Sequence, residues 1–106
     1  MAAKNETQLQ NAIRVELSKI GIVRRNNVGT FYTKYGVPVV IGIPGEADLT
    51  LFSKSGETYF IEIKTLSGRQ SEKQRHFQNV VESYGFQYII MRSVEDARNF
   101  IRKVDF

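Results

Sequence analysis

The chain has 106 residues, enough for one hydrophobic core and too few for two, and its 42% hydrophobic share is that of an ordinary globular protein. It has no cysteine and a single histidine, which excludes disulfides and thiolate metal sites and leaves no ligand set for structural zinc, so any bound metal would be held by oxygen. The 15 basic and 11 acidic residues give a net charge of +4, which permits a polyanionic partner without requiring one. No apolar run approaches the roughly 18 residues of a membrane span, and the N-terminal MAAKNETQ carries no secretory segment. One domain over residues 1–106, soluble and cytoplasmic with no membrane partner, is expected.

From Asn5 to Ile20 the apolar residues Leu9, Ile13, Leu17 and Ile20 recur at helical spacing, and Gly21 supplies a stop. Glu6 lies one turn before Leu9 on that stripe and is expected to point toward the sheet, although an acid in a first turn also complements the helix dipole. Ile22 to Val28 reads as a strand closed by Gly29. Its adjacent Arg24 and Arg25 face opposite ways, which leaves at least one free to meet phosphate or to keep an edge strand soluble.

Thr30 to Gly42 mixes Phe31, Tyr32, Lys34 and Tyr35 with the apolar run Val37-Pro38-Val39-Val40-Ile41. Aromatic and basic residues together suit nucleic-acid contact. An apolar strand with a proline suits a sheet edge or a subunit contact, and ordinary core packing would explain it as well.

The stretch IPGEADLTLFSKSGETYFIEIK, Ile43 to Lys64, reads as a β-hairpin with strands Ala47–Phe52 and Thr58–Thr65 about a turn at Ser53-Lys54-Ser55-Gly56-Glu57. Alternation puts Phe60, Glu62 and Lys64 on one face and Tyr59, Ile61 and Ile63 on the other. Asp48 opens the partner strand after the breaker-rich Gly42-Ile43-Pro44-Gly45, so a second acid arrives beside Glu62 and Lys64, as in a metal-binding cleft. A solvated Glu/Lys pair is the plain alternative.

Leu66 to Gln70 is a polar loop. Ser71 then opens a second helix with Gln74 at capping-box spacing, Phe77, Val80, Val81 and Tyr84 as its stripe, and Gly85 at its end. Gln74 leans toward the buried face, while His76 is a surface residue. Phe86 to Met91 reads as a buried strand, and a final helix follows with Ser93 and Asp96 as a cap pair and Val94, Ala97, Ile101 and Val104 packed inward. The expected fold is α/β, a single mixed β-sheet flanked by helices.

The ordered set Glu6, Asn26-Asn27-Val28-Gly29, Gly42-Ile43-Pro44-Gly45-Glu46-Ala47-Asp48, Glu62-Ile63-Lys64, Gly68, Ser71 and Gln74 resembles the virus-type replication-repair nuclease (VRR-NUC) domain. That family lies within the PD-(D/E)xK superfamily, and Ala47 stands here where the pattern has proline. The resemblance covers most of the chain and implies the restriction-endonuclease-like PD-(D/E)xK fold and a DNA endonuclease. Asp48 and Glu62 are then metal ligands, the Ile63 backbone carbonyl a third, Glu6 a further acid toward metal, Lys64 a catalytic cation and Gln74 a residue that orients water, lysine or phosphate.

The expected cofactor is Mg²⁺, with Mn²⁺ able to substitute because it takes the same oxygen donors. Candidate DNA contacts are Arg24, Arg25, Lys34, Arg69, Ser71 and Lys73. Stand-alone domains of this kind are expected to act as homodimers on branched DNA, resolving four-way (Holliday) junctions in repair. A flap or nicking DNase, a catalytically silent nucleic-acid-binding domain of the same fold, and a small interaction domain remain as alternatives.

Overall fold

A computed structural model describes residues 5–104. Asn5 caps α1 (Glu6–Leu17), its side chain accepting the Gln8 amide at 2.8 Å, and the helix ends at Ser18, three residues before Gly21. Leu9, Ile13 and Leu17 are buried as the spacing predicts, and Ile20 is buried in the turn that follows.

Strands β1 (Gly21–Arg25), β4 (Leu49–Ser53), β5 (Thr58–Ile63) and β6 (Gln87–Met91) form one sheet in the order β1-β4-β5-β6. The first two pairings are antiparallel and β5–β6 is parallel, because α2 (Glu72–Ser83) crosses over between them. The sheet is mixed and flanked by helices, as expected.

Strand alternation divides its two faces. Leu49, Leu51, Tyr59, Ile61, Ile63 and Met91 pack on α1 and on α3 (Val94–Val104) through Ile13, Leu17, Ala97 and Phe100. The opposite face sets Phe60, Tyr88 and Ile90 against Phe77 and Val81 of α2. Edge-on ring contacts, Tyr59 with Phe100 at 5.0 Å and Phe60 with Phe77 at 5.4 Å, close the two layers. Glu16 bonds Arg98 at 2.9 Å and so ties α1 to α3. Phe100 is a core residue that the predicted stripe omitted, whereas Tyr84, expected inside, is 73% exposed just past the end of α2.

The strand expected over Ile22–Val28 stops at Arg25. Gly29 opens a further strand, β2 (Gly29–Tyr32), which pairs antiparallel with β3 (Pro38–Ile41) as a separate two-stranded ribbon. Core packing does not explain this hairpin: Phe31, Tyr32, Tyr35, Val37, Val40 and Ile41 are all exposed. Gly42, at φ +77°, turns the chain back where an added Cβ would lie 2.4 Å from the Asn27 carbonyl oxygen.

Candidate metal and nucleic-acid site

The hairpin register pairs Leu49 with Ile61. One step further, at the end of the ladder, Asp48 comes opposite Glu62. Here side chains replace the backbone rungs: the Ile63 amide donates to Asp48 Oδ2 at 2.8 Å, and the Asp48 amide donates to Glu62 Oε1 at 3.2 Å. Each carboxylate is thus fixed by the backbone beside the other, and the strands part around them.

Lys64, one residue beyond β5, is buried with its Nζ 3.2 Å from Glu62 Oε2. The ammonium is not aligned for a hydrogen bond, and among the described residues that fully shielded oxygen has no donor. Burial first, and the Asp48 charge second, push the Glu62 carboxyl up to about 7. Burial likewise raises Asp48, against the Ile63 amide and the Lys64 and Arg25 charges, which lower it.

Two carboxylates whose ionisation burial opposes, one with an oxygen that makes no aligned hydrogen bond, form an oxygen donor set that the Lys64 and Arg25 charges offset only in part. Mg²⁺ or Mn²⁺ would supply the remaining positive charge, so the residues present fit such an ion. Among the described residues no three acidic, histidine or cysteine side chains come together.

Other chain segments hold this pair in place. Asn26 donates its amide N–H to the Asp48 carbonyl at 2.8 Å, and its Nδ2 to the Ala47 carbonyl at 3.0 Å and Thr50 Oγ1 at 2.8 Å. Gly45, at φ +78°, lies so close to the first turn of α2 that an added Cβ would be 2.2 Å from the Lys73 carbonyl oxygen. The loop is thereby seated against α2 just before Asp48. On the far side, Arg92 Nη1 donates to the carbonyls of Thr65 and Gly68, both at 2.7 Å, pinning the loop after Lys64. Tyr88 also lies on this face, its phenol raised by burial and then by the Glu62 charge while its oxygen accepts from Gln70 Nε2 at 3.2 Å.

A cleft of about 350 Å³ opens beside Asp48, lined among others by Gln10, Arg25, Phe31, Glu46 and Gln74. Gln74 makes the capping box anticipated from its spacing, its Oε1 accepting the Ser71 amide at 2.9 Å and its own amide donating to Ser71 Oγ at 3.2 Å. Its side chain therefore serves both helix and cleft, while the Ser71 hydroxyl is engaged in the cap. Glu6 is exposed, contrary to the expectation that it points toward the sheet, and it does not line this cleft; Gln10, one turn later, does.

Arg24 and Arg25 are exposed and register with Thr50 and Leu49, hence on opposite faces, but only Arg25 lines the cleft. Arg69 is exposed in the loop before α2 and Lys73 in its first turn, and Lys34, at the tip of the β2–β3 hairpin, lies over the Tyr35 ring at 5.1 Å. His76 is exposed, as expected.

Sequence reasoning assigned no role to Gln10, Asn26, Tyr88 or Arg92. Asn26 stood within a quoted motif, but its partners follow only from the β1–β4 register. Arg92 becomes a neighbour of the lysine loop only once β6 is known to run parallel to β5.

The sheet thus runs in the order β1-β4-β5-β6, with two acids and a lysine where its central antiparallel pair ends. No protein-family model and no curated protein sequence matches the chain. Among solved structures, one described as a VRR_NUC domain superposes with a TM-score of 0.71 at 17% identity, over 96% of this chain and 99% of that one. The chain has the fold of a VRR_NUC domain.

Proposed function

We propose that the chain is a metal-dependent DNA endonuclease that hydrolyses phosphodiester bonds at the Asp48–Glu62–Lys64 site. The observation that carries this reading is the pairing of half-buried Asp48 with fully buried Glu62, each held by a backbone amide of the neighbouring strand end at 2.8 and 3.2 Å, with Lys64 Nζ 3.2 Å from Glu62 and Asp48 itself lining a cleft. Asp48, Glu62 and the Ile63 carbonyl would hold Mg²⁺ or Mn²⁺, which supplies an activated water and positive charge beside the phosphate. Lys64 keeps an ammonium next to the reacting group, where it stabilises charge developing on the phosphate. Arg25 offers a guanidinium at the cleft for the DNA backbone, and Gln74, anchored through its cap, offers its amide to a phosphate oxygen or water. Arg24, Lys34, Arg69 and Lys73 are exposed cations available to flanking phosphates.

The substrate we assign is branched DNA, cut by a homodimer. Support for pairing comes from the β2–β3 hairpin, whose Phe31, Val39, Val40 and Ile41 expose apolar surface on a ribbon separate from the main sheet. A two-fold pair would present two sites to a four-way junction of matching symmetry. No helix among the described residues is long and apolar enough to cross a membrane, and action on intracellular DNA is part of this proposal.

The test is incubation of the purified chain with labelled duplex, flap, splayed and four-way DNA, with and without Mg²⁺. Cation-dependent cutting with paired, symmetric cuts on the four-way substrate supports the whole reading. Cutting of the flap or nicking of the duplex alone refutes the junction assignment, and absence of any cleavage refutes the enzyme.

A further inference from the structure

Gln10 lies on α1 between Leu9 and Ile13, which pack into the core, and is itself only 8% exposed. Its amide oxygen is shielded from solvent and meets no donor among the described residues. A buried polar atom without a partner is rare, because the water it lost has not been replaced. Leucine or methionine would fill the same volume without that cost.

What distinguishes the position is its outlook: Gln10 lines the same cleft as Asp48, Glu46, Arg25 and Gln74. Rotation about the last side-chain torsion exchanges amide oxygen and nitrogen, so the oxygen can be turned to the cleft with the helix unmoved. Turning it outward leaves the amide nitrogen in the shielded place, so it is the cleft-facing end of the amide, once it is the oxygen, that can meet a donor arriving with whatever fills the cleft. Mg²⁺ and Mn²⁺ keep several of their waters when bound through one or two carboxylates, and those polarised waters are strong donors.

We propose that Gln10 is a positioning residue for the cation site, its amide oxygen accepting a hydrogen bond from the hydration shell of a divalent cation held at Asp48. The inference rests on the functional reading above and assigns the α1 contribution to a neutral amide one turn beyond the exposed Glu6. An amide suits this place because it accepts from a bound water without adding a third negative charge beside Asp48 and Glu62. Contacts of this outer kind orient the inner ligands, and their loss typically weakens metal affinity 10- to 100-fold.

The experiment measures binding of Mn²⁺ alone, without DNA, by electron paramagnetic resonance of the free ion, alongside urea unfolding in the presence of a chelator. Gln10→Met is expected to weaken Mn²⁺ binding about tenfold or more, while its metal-free unfolding midpoint stays level or rises because an unpartnered polar atom has gone. Gln10→Glu restores an acceptor and is expected to bind Mn²⁺ at least as tightly as the parent chain. Should Gln10→Met fail to fold, Gln10→Asn, which withdraws the amide by one methylene, is expected to show the same weakening.

Mn²⁺ affinity unchanged in the folded variants overturns the proposal, as does a loss of metal-free stability with affinity intact, which would make Gln10 a packing residue. If the parent chain binds no Mn²⁺, the reading of the whole site fails and this inference with it. If the parent binds and Glu62→Gln does not, while Gln10→Met matches the parent, only this inference fails.

Discussion

Glu62 has no exposed surface, and with its carboxyl pushed up to about 7 from an ordinary 4.5 it holds a proton in the folded chain that the unfolded chain has already released. Stability is therefore lost as pH rises from the unfolded value through the folded one, and linkage puts the loss at about 3 kcal/mol at most. Asp48, also raised, acts in the same direction. Metal-free Glu62→Gln is accordingly expected to be more stable than the parent near pH 8, with the difference closing toward about pH 4.5. Urea unfolding at several pH values in a chelator measures this, and a pH-independent difference would contradict it. Adding Mg²⁺ should stabilise the parent by mass action and leave Glu62→Gln nearly unmoved.

Asn26 acts at the same scale through three hydrogen bonds to residues 47–50, two of them from its side chain. Asn26→Ala removes the side-chain pair and is expected to cost about 1–3 kcal/mol. It should also lower the cleavage rate constant about tenfold or more with little change in DNA affinity, because Asp48 loses its fixed position. Single-turnover cleavage and equilibrium binding on one substrate separate the two effects.

At the scale of elements, the loop from Gly42 to Asp48 is seated by close backbone approach. Gly45→Ala adds a Cβ at a positive φ, 2.2 Å from a carbonyl oxygen of α2, whereas Gly56→Ala, at φ +91° in the β4–β5 turn, meets nothing within 4 Å. Gly45→Ala is expected to cost about 2 kcal/mol or more and Gly56→Ala about 1 kcal/mol, the strain of the left-handed conformation alone. Comparison of their urea midpoints checks this, and equal costs would mean that the loop is not seated on α2 as described.

What was legible in the sequence divides along the same line. Local rules sufficed for the β4–β5 hairpin, the face shared by Phe60, Glu62 and Lys64, and the Ser71–Gln74 cap, because alternation and capping depend only on residues a few positions apart. They failed where long-range geometry decides. Glu6 falls on the predicted helical stripe, yet the helix begins there, and its first turn is exposed while Gln10 reaches the cleft. The apolar Val37–Ile41 run leaves core packing and an exposed edge both open, Pro38 favouring the edge, and only the strand order shows that it pairs with β2 and stays outside. Arg92 and Asn26 acquire their partners from strand order alone.

For the molecule as a whole, the proposed dimer rests on the exposed β2–β3 hairpin. Val40 is 69% exposed, and Val40→Asp is expected to leave the fold and Mn²⁺ binding intact while converting a dimer to a monomer, since a charge is costly in an apolar contact. Light scattering at micromolar concentration reads the mass, and a parent chain that is already monomeric there contradicts the dimer.

The central claim is that Asp48 and Glu62 make this fold a cation-dependent DNA-cutting enzyme. Its most direct measurement is cleavage and binding of one labelled branched DNA by the parent chain and by Glu62→Gln in Mg²⁺. The account predicts that the parent cuts and that Glu62→Gln does not, while binding survives or tightens because a negative charge beside the phosphate has been removed. Undiminished cutting by folded Glu62→Gln would contradict it.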